Sequence, residues 1–153
     1  MAFKPQDLEQ VGCIYKYGKS RLDREQGQMR LGGFAWMRMP GLDESAFAFL
    51  ARNPKLKRVS IEANPEVTDR VVPFLAGLKE LEELSVTGGR GFTGRGLSNA
   101  AWRATVRHCD FMGSKLDDDG LRALAGCPEL AQVMVEETLN TGEGLASLAS
   151  LPK

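Results

Sequence analysis

Histidine, cysteine, net charge and long apolar runs are all scarce in this chain, and each scarcity closes off a class of function. There is one histidine and there are three cysteines, Cys13, Cys109 and Cys127, in 153 residues. One histidine with three dispersed cysteines does not make a metal-ligand set, so no metal site and no cofactor are expected. An odd number of widely spaced cysteines argues against a disulfide framework and fits a reducing compartment. Net charge is also missing, because 20 basic side chains balance 20 acidic ones. That balance gives no reason to expect a generic nucleic-acid or anionic-membrane binder. No apolar run approaches the ~20 residues that a membrane span needs. The N-terminal stretch Met-Ala-Phe-Lys-Pro-Gln-Asp has no apolar core of a secretory signal, so the expected location is cytoplasmic.

What is present is a period. Residues 116–130, shifted back by 49, fall on residues 67–81. Apolar meets apolar at 67/116, 72/121, 74/123, 75/124 and 81/130, and Gly77 meets Gly126. The shift contains two units, each an apolar-x-x-apolar-x-apolar opening, a turn, and a short helical pattern. The openings are Leu31-x-x-Phe34-x-Trp36, Leu56-x-x-Val59-x-Ile61, Leu81-x-x-Leu84-x-Val86, Val106-x-x-Cys109-x-Phe111 and Leu130-x-x-Val133-x-Val135, at spacings of 25, 25, 25 and 24. A fixed period of this length points to a repeat architecture.

The openings resemble those of leucine-rich repeats. The run Asp117-Asp118-Asp119-Gly120-Leu121 through Cys127-Pro128-Glu129-Leu130 is similar to the cysteine-containing, ribonuclease-inhibitor-like subtype, which occurs in substrate-recognition subunits of ubiquitin ligases. The resemblance covers residues 31–153. It departs from the family at the position after each strand, where Asn or Cys is the rule and this chain has Met39, Asn64, Gly89, Ser114 and Thr138. An irregular turn ladder is therefore expected.

The resemblance implies an α/β fold of one domain, 1–153. It would be a leucine-rich-repeat solenoid of about five repeats of 24–25 residues, bent into a short horseshoe arc. A parallel sheet lines the concave face and helices the convex face, and the width difference between strand and helix bends the stack. Residues 1–30 do not fit the period and are expected to cap the first repeat, with strand character at Val11–Tyr17.

On the convex side, Asp43 or Ser45 is expected to cap a helix carrying Leu42, Phe47 and Leu50. Thr68-Asp69 caps the second, with Val72, Leu75 and Leu78 buried and Pro73 keeping it short. The third packs Leu97, Ala100 and Ala101, with Trp102 covering its end. In the fourth, Asp117 caps, Leu121, Leu124 and Ala125 pack, and Gly126 stops the helix. In the fifth, Leu145, Leu148 and Leu151 face inward. The flank of that last repeat, including Val133, Val135, Leu139 and Leu148, is expected to be open to water and to take a partner or a second copy, giving a homo- or hetero-oligomer. The alternative is that Thr138, Asn140, Thr141 and Glu143 wrap back over it.

Strand residues that alternate with the core point onto the concave face. One column reads Gly33, Arg58, Glu83, His108, Gln132. The next reads Ala35, Ser60, Ser85, Asp110, Met134, and the third Met37, Glu62, Thr87, Met112, Glu136. The candidate partner-binding residues are Arg58, Glu62, Glu83, Ser85, Thr87, His108, Asp110, Met112, Gln132, Met134 and Glu136. Methionine on a polar sheet suits an adaptable protein-binding surface; a solvated sheet face accounts for the same columns.

Two motifs invite other readings. Gly89-Arg90-Gly91-Phe92-Thr93-Gly94 matches a dinucleotide-binding glycine pattern, but the helical stretch after it is too short and the next strand too polar for that unit. His108-Cys109-Asp110 has the composition of a nucleophile site, yet neighbours on a strand point to opposite faces. The expected role is thus a non-catalytic protein-interaction module, an adaptor or scaffold subunit. An inhibitor or immunity-type protein is the alternative, and a nucleotide-binding enzyme using the Gly89–Gly94 turn the remote one. The chain has no F-box-like helical segment.

Overall fold

The computed structural model describes residues 34–37 and 44–151. The cap expected over 1–30, Asp43 as a helix cap, and Cys13 lie outside the described residues, as does the side chain of Ser45. The fold is mixed α/β, built on one five-stranded parallel sheet in sequence order. The strands are β1 (Phe34–Met37), β2 (Arg58–Ile61), β3 (Glu83–Val86), β4 (His108–Asp110) and β5 (Gln132–Met134). Four α-helices are described: α1 (Glu44–Ala51), α2 (Val72–Ala76), α3 (Asp118–Leu124) and α4 (Gly142–Ser147).

The strand pairing shows why the period is so regular. Arg58 pairs with Glu83, Glu83 with His108, and His108 with Gln132. Each step carries the inward set onto the next inward set: Val59 and Ile61, Leu84 and Val86, then Cys109 and Phe111, all at most 1% exposed. The first step differs from expectation. Phe34 pairs with Arg58 and Ala35 with Val59, a spacing of 24 rather than 25. Ala35 therefore stands opposite Val59 rather than Ser60, and Met37 opposite Ile61 rather than Glu62, so the expected columns do not extend to β1; Gly33 lies outside the described residues. All four residues of β1 are apolar, so their pattern carries no alternation from which to read a register.

Behind the sheet lies one continuous core. Phe92 and Phe111 stack at 5.6 Å between ring centres, and Leu75, Leu97, Leu121 and Leu124 close it from the helical side. The second connection behaves as expected. The Thr68 hydroxyl accepts the Arg70 N–H at 3.3 Å, and Val72, Leu75 and Leu78 are buried. Pro73 sits in the first turn of α2, where no intrahelical donor is lost, and the helix ends after five residues.

The third connection has no α-helix. Two 3-10 segments, Leu97–Asn99 and Ala101–Ala104, are separated by Ala100 in an extended conformation. Gly94 and Gly96 take left-handed backbone (φ of 83° and 92°), and Ser98 and Asn99 are weak helix formers, so no regular helix runs through this stretch. The break turns Ala101 outward to solvent, against expectation, and sends Trp102 fully into the core rather than over its end.

In the fourth connection the Asp117 carboxylate accepts the Gly120 N–H at 3.0 Å, with Asp118 and Asp119 in the first turn and Arg122 in the last. Leu121 and Leu124 are buried, but Ala125 is only half-buried. Gly126 does not act as a left-handed stop. It leaves room for Arg103, whose guanidinium would collide with a Cβ there and which donates to the carbonyls of Ala123 and Ser98.

Left-handed backbone recurs just past the strands at Ala63, Gly88, Gly113 and Glu137 (φ of 49°, 72°, 66° and 56°). The Gly88 and Gly113 N–H groups donate to the carbonyls of Met112 and Glu136, both at 2.9 Å, extending the ladder beyond the strands. The residues that follow these left-handed positions, Asn64, Gly89, Ser114 and Thr138, differ in type. Asn64 and Ser114 are buried, and Thr138 donates to the Val135 carbonyl at 2.8 Å.

The last unit is looser than the rest. Val133 and Val135 are half-buried, and Leu148 and Leu151 pack only partly against the core. Leu145, expected inward, is 46% exposed, and Leu139 is 55% exposed. β5 has a strand neighbour on one side only among the described residues, so its flank has nothing to pack against.

Candidate functional site

The open face of the sheet from β2 to β5 carries most of the candidate residues. Alternation along each strand puts the core residue behind and its neighbour in front. From β2 come Arg58 and Ser60, with Glu62 one residue past its end; from β3, Glu83 and Ser85; from β4, His108 and Asp110; from β5, Gln132 and Met134. These line one shallow concavity of about 460 Å³. The structure leaves three candidates outside it. Thr87, Met112 and Glu136 lie past the C-terminal ends of their strands. Of the two methionines, Met134 is 39% exposed and Met112 is half-buried.

Polar contacts divide the face along the strand direction. At the N-terminal ends, charges on β2 and β3 pair: Lys57 Nζ lies 2.9 Å from Glu82 Oε1, and Arg58 Nε 3.1 Å from Glu83 Oε1. The first pair holds the Lys57 pKa above and the Glu82 pKa below their ordinary values, through the hydrogen bond and then the charge of the partner. The Lys57 and Glu82 side chains are 52% and 35% exposed, so solvent screens the pair and it sets geometry more than stability. Farther along, the Ser60 hydroxyl donates to Glu62 Oε1 at 2.8 Å, and Asp110 Oδ1 accepts the Met112 N–H at 3.0 Å.

His108 is exposed on this face while Cys109 is 1% exposed behind it, so the two do not meet. Burial pushes the Cys109 thiol far up, and Cys127 is raised for the same reason against the opposing pull of Arg103. Both sulfurs stay protonated in the core, where they pack as small apolar groups. Among the described residues no group of three or more His, Cys, Asp or Glu side chains is placed to hold a metal ion. No described helix is long and apolar enough to cross a membrane.

The glycine turn spends its amides inside the protein. The N–H groups of Arg90, Gly91 and Phe92 donate to the carbonyls of Pro65, Val67 and Gly89. Those of Thr93 and Gly94 donate to Asp69 Oδ1 at 2.8 and 3.0 Å, and the Thr93 hydroxyl gives Asp69 Oδ2 a third bond at 2.6 Å. A phosphate cradle needs such amides free. Sequence reasoning missed this clasp. It recurs 49 residues on, where Asp118 accepts both the N–H and the hydroxyl of Thr141 at 2.7 Å. The signal was available, because Asp69 and Asp118 fall in register and each precedes a Thr-Gly pair by 23 or 24 residues.

No protein-family model matches the chain, and no curated protein is similar enough to match it.

Proposed function

We propose that the chain is a leucine-rich-repeat-type solenoid, a non-catalytic adaptor or scaffold subunit that binds a protein through the open face of its sheet. The observation that carries this reading is the concavity between β2 and β5, floored by adjacent parallel strands and lined by polar side chains with one exposed methionine. A parallel sheet is usually covered on both faces. Here Arg58, His108 and Gln132 on one face are exposed to water. The backbones at Arg58 and His108 are held by ladders on both sides and that at Gln132 by the β4 ladder, so a partner would meet a largely rigid surface and lose little freedom in ordering it.

The test uses uncharged changes. A partner is captured with the full chain, identified by mass spectrometry, purified, and its affinity measured. Ser85→Trp, which fills the middle of the concavity, and Met112→Ala at its margin are expected to weaken the complex about tenfold or more while leaving the melting temperature in place. Ala146→Trp on exposed α4 serves as the control. A complex that tolerates Ser85→Trp but is lost with the control change would move the interface off the sheet and end this reading.

A further inference from the structure

The chain as a whole is neutral, but its open face is not. The concavity between β2 and β5 is lined by the carboxylates Glu62, Glu83 and Asp110 against a single guanidinium, Arg58, and Glu136 stands exposed just past the end of β5. Arg58 is already spent on Glu83, and Lys57 at the margin on Glu82. Glu62 receives a serine hydroxyl and Asp110 a backbone N–H. Neither of them, nor Glu136, forms an ion pair with a described cation. The uncompensated negative charge therefore lies toward the C-terminal ends of the strands. Apolar surface sits within it, since Met134 pairs in register with Asp110 and is exposed, and Met112 follows on the same side of β4.

Resting on the docking reading above, we infer that the partner presents a cationic segment to this face, with lysine or arginine side chains on either side of an apolar residue. The apolar residue packs on Met134 and Met112, and the flanking cations reach Glu62 on one side and Glu136 on the other. Three strand spacings separate β2 from β5, about 14 Å at ~4.8 Å each. An extended peptide covers that distance in about four residues and a helix in about nine. A cation approaching this face meets carboxylates with no competing cation among the described residues, so charge adds to both encounter rate and register. An acidic segment would meet the same carboxylates as repulsion.

The probe is an unbiased library of random peptides long enough to span the face, selected against the full chain. Recovered sequences are expected to carry two Lys or Arg residues flanking an apolar one. Their affinity is expected to fall about tenfold or more in the combined variant Glu62→Gln, Asp110→Asn, Glu136→Gln, and to fall as salt is raised from about 50 to about 200 mM. A control variant, Glu80→Gln, Glu129→Gln, Glu143→Gln, removes as many exposed carboxylates away from the face and is expected to bind as wild type. Neutral or acidic sequences, equal binding to both variants, or no enrichment would overturn the inference. If the recovered peptides are not cationic yet are blocked by Ser85→Trp, the docking reading stands and only the charge assignment falls. If they ignore Ser85→Trp, both fall together.

Discussion

The β3–β4 centre and the β5–α4 end are written in the same sequence pattern, yet they are packed very differently. Leu81, Leu84 and Val86 in and before β3, and Val106, Cys109 and Phe111 in and around β4, are all at most 1% exposed. Their counterparts at the end are Leu130, which is buried, and Val133 and Val135, which are only half-buried. The helical side follows suit, since Leu121 and Leu124 of α3 are fully buried while Leu145 of α4 is 46% exposed. The pattern sets which residues point into the layer between strand and helix. How far they are removed from water depends on whether a layer lies on both sides. Stability is therefore expected to be highest in the middle and to decay toward β5, as in stacks where each unit contacts only its neighbours.

The largest break in that contrast comes from core truncation. Leu84→Ala is expected to cost about 2–5 kcal/mol, the usual range for a fully enclosed leucine. Leu145→Ala, at the exposed end, should change stability by no more than about 0.5 kcal/mol. Urea midpoints at constant slope measure both, and equal losses would mean that the end is as tightly packed as the centre.

A smaller contrast is available in two glycines. A Cβ on Gly120 would stand 2.4 Å from the Thr93 carbonyl oxygen, a fixed backbone atom, whereas a Cβ on Gly142 would meet nothing within 4 Å. Gly120→Ala is expected to destabilise by about 1–3 kcal/mol as the two connections are pushed apart. Gly142→Ala at the start of α4 should be neutral or stabilising by up to about 1 kcal/mol, since alanine favours helix. Thermal melts of the two variants side by side sharpen the comparison.

The finest test uses the clasp. Asp69 holds the half-buried central copy, and Asp69→Ala should cost about 1–2 kcal/mol in urea unfolding through its lost hydrogen bonds. Asp118, also half-buried, holds the copy at the end through its bonds to the exposed Thr141. Its pKa is lowered by the Thr141 N–H first and the Thr141 hydroxyl second. A folded-state pKa below the unfolded value stabilises at neutral pH, and that stabilisation is lost as pH falls through the ordinary aspartate range to the folded value. Wild type should therefore lose slightly more stability than Asp118→Asn over that descent, with urea midpoints against pH as the readout. Identical pH profiles would show that the terminal clasp contributes nothing.

Much of this was legible in the residues, and the exceptions have identifiable causes. The register of β2 through β5 could be read because polar and apolar residues alternate along those strands. β1 could not, because Phe34-Ala35-Trp36-Met37 offers no alternation. The open-face residues followed from the same alternation. Their grouping into one concavity did not, because it is not set by position along a single strand: Glu62, one residue past β2, lines it and Thr87, one residue past β3, does not. The Gly89–Gly94 pattern was legible as a motif, but the Asp69 side chain that occupies its last two amides comes from the preceding connection.

By itself the sequence determined the parallel order of the strands, the inward set along β2 to β5, and the chemistry of the residues facing out. These follow from a period of 24–25 residues and from the two-residue alternation of a strand, both local properties of a chain. Only the tertiary structure decided the depth of burial in each unit, the 3-10 path that carries Trp102 inside, the one-residue shift of β1, and which charges on the face neutralise each other. Those depend on contacts between segments about 25 residues apart, and a pattern within one segment carries no record of what its neighbour supplies.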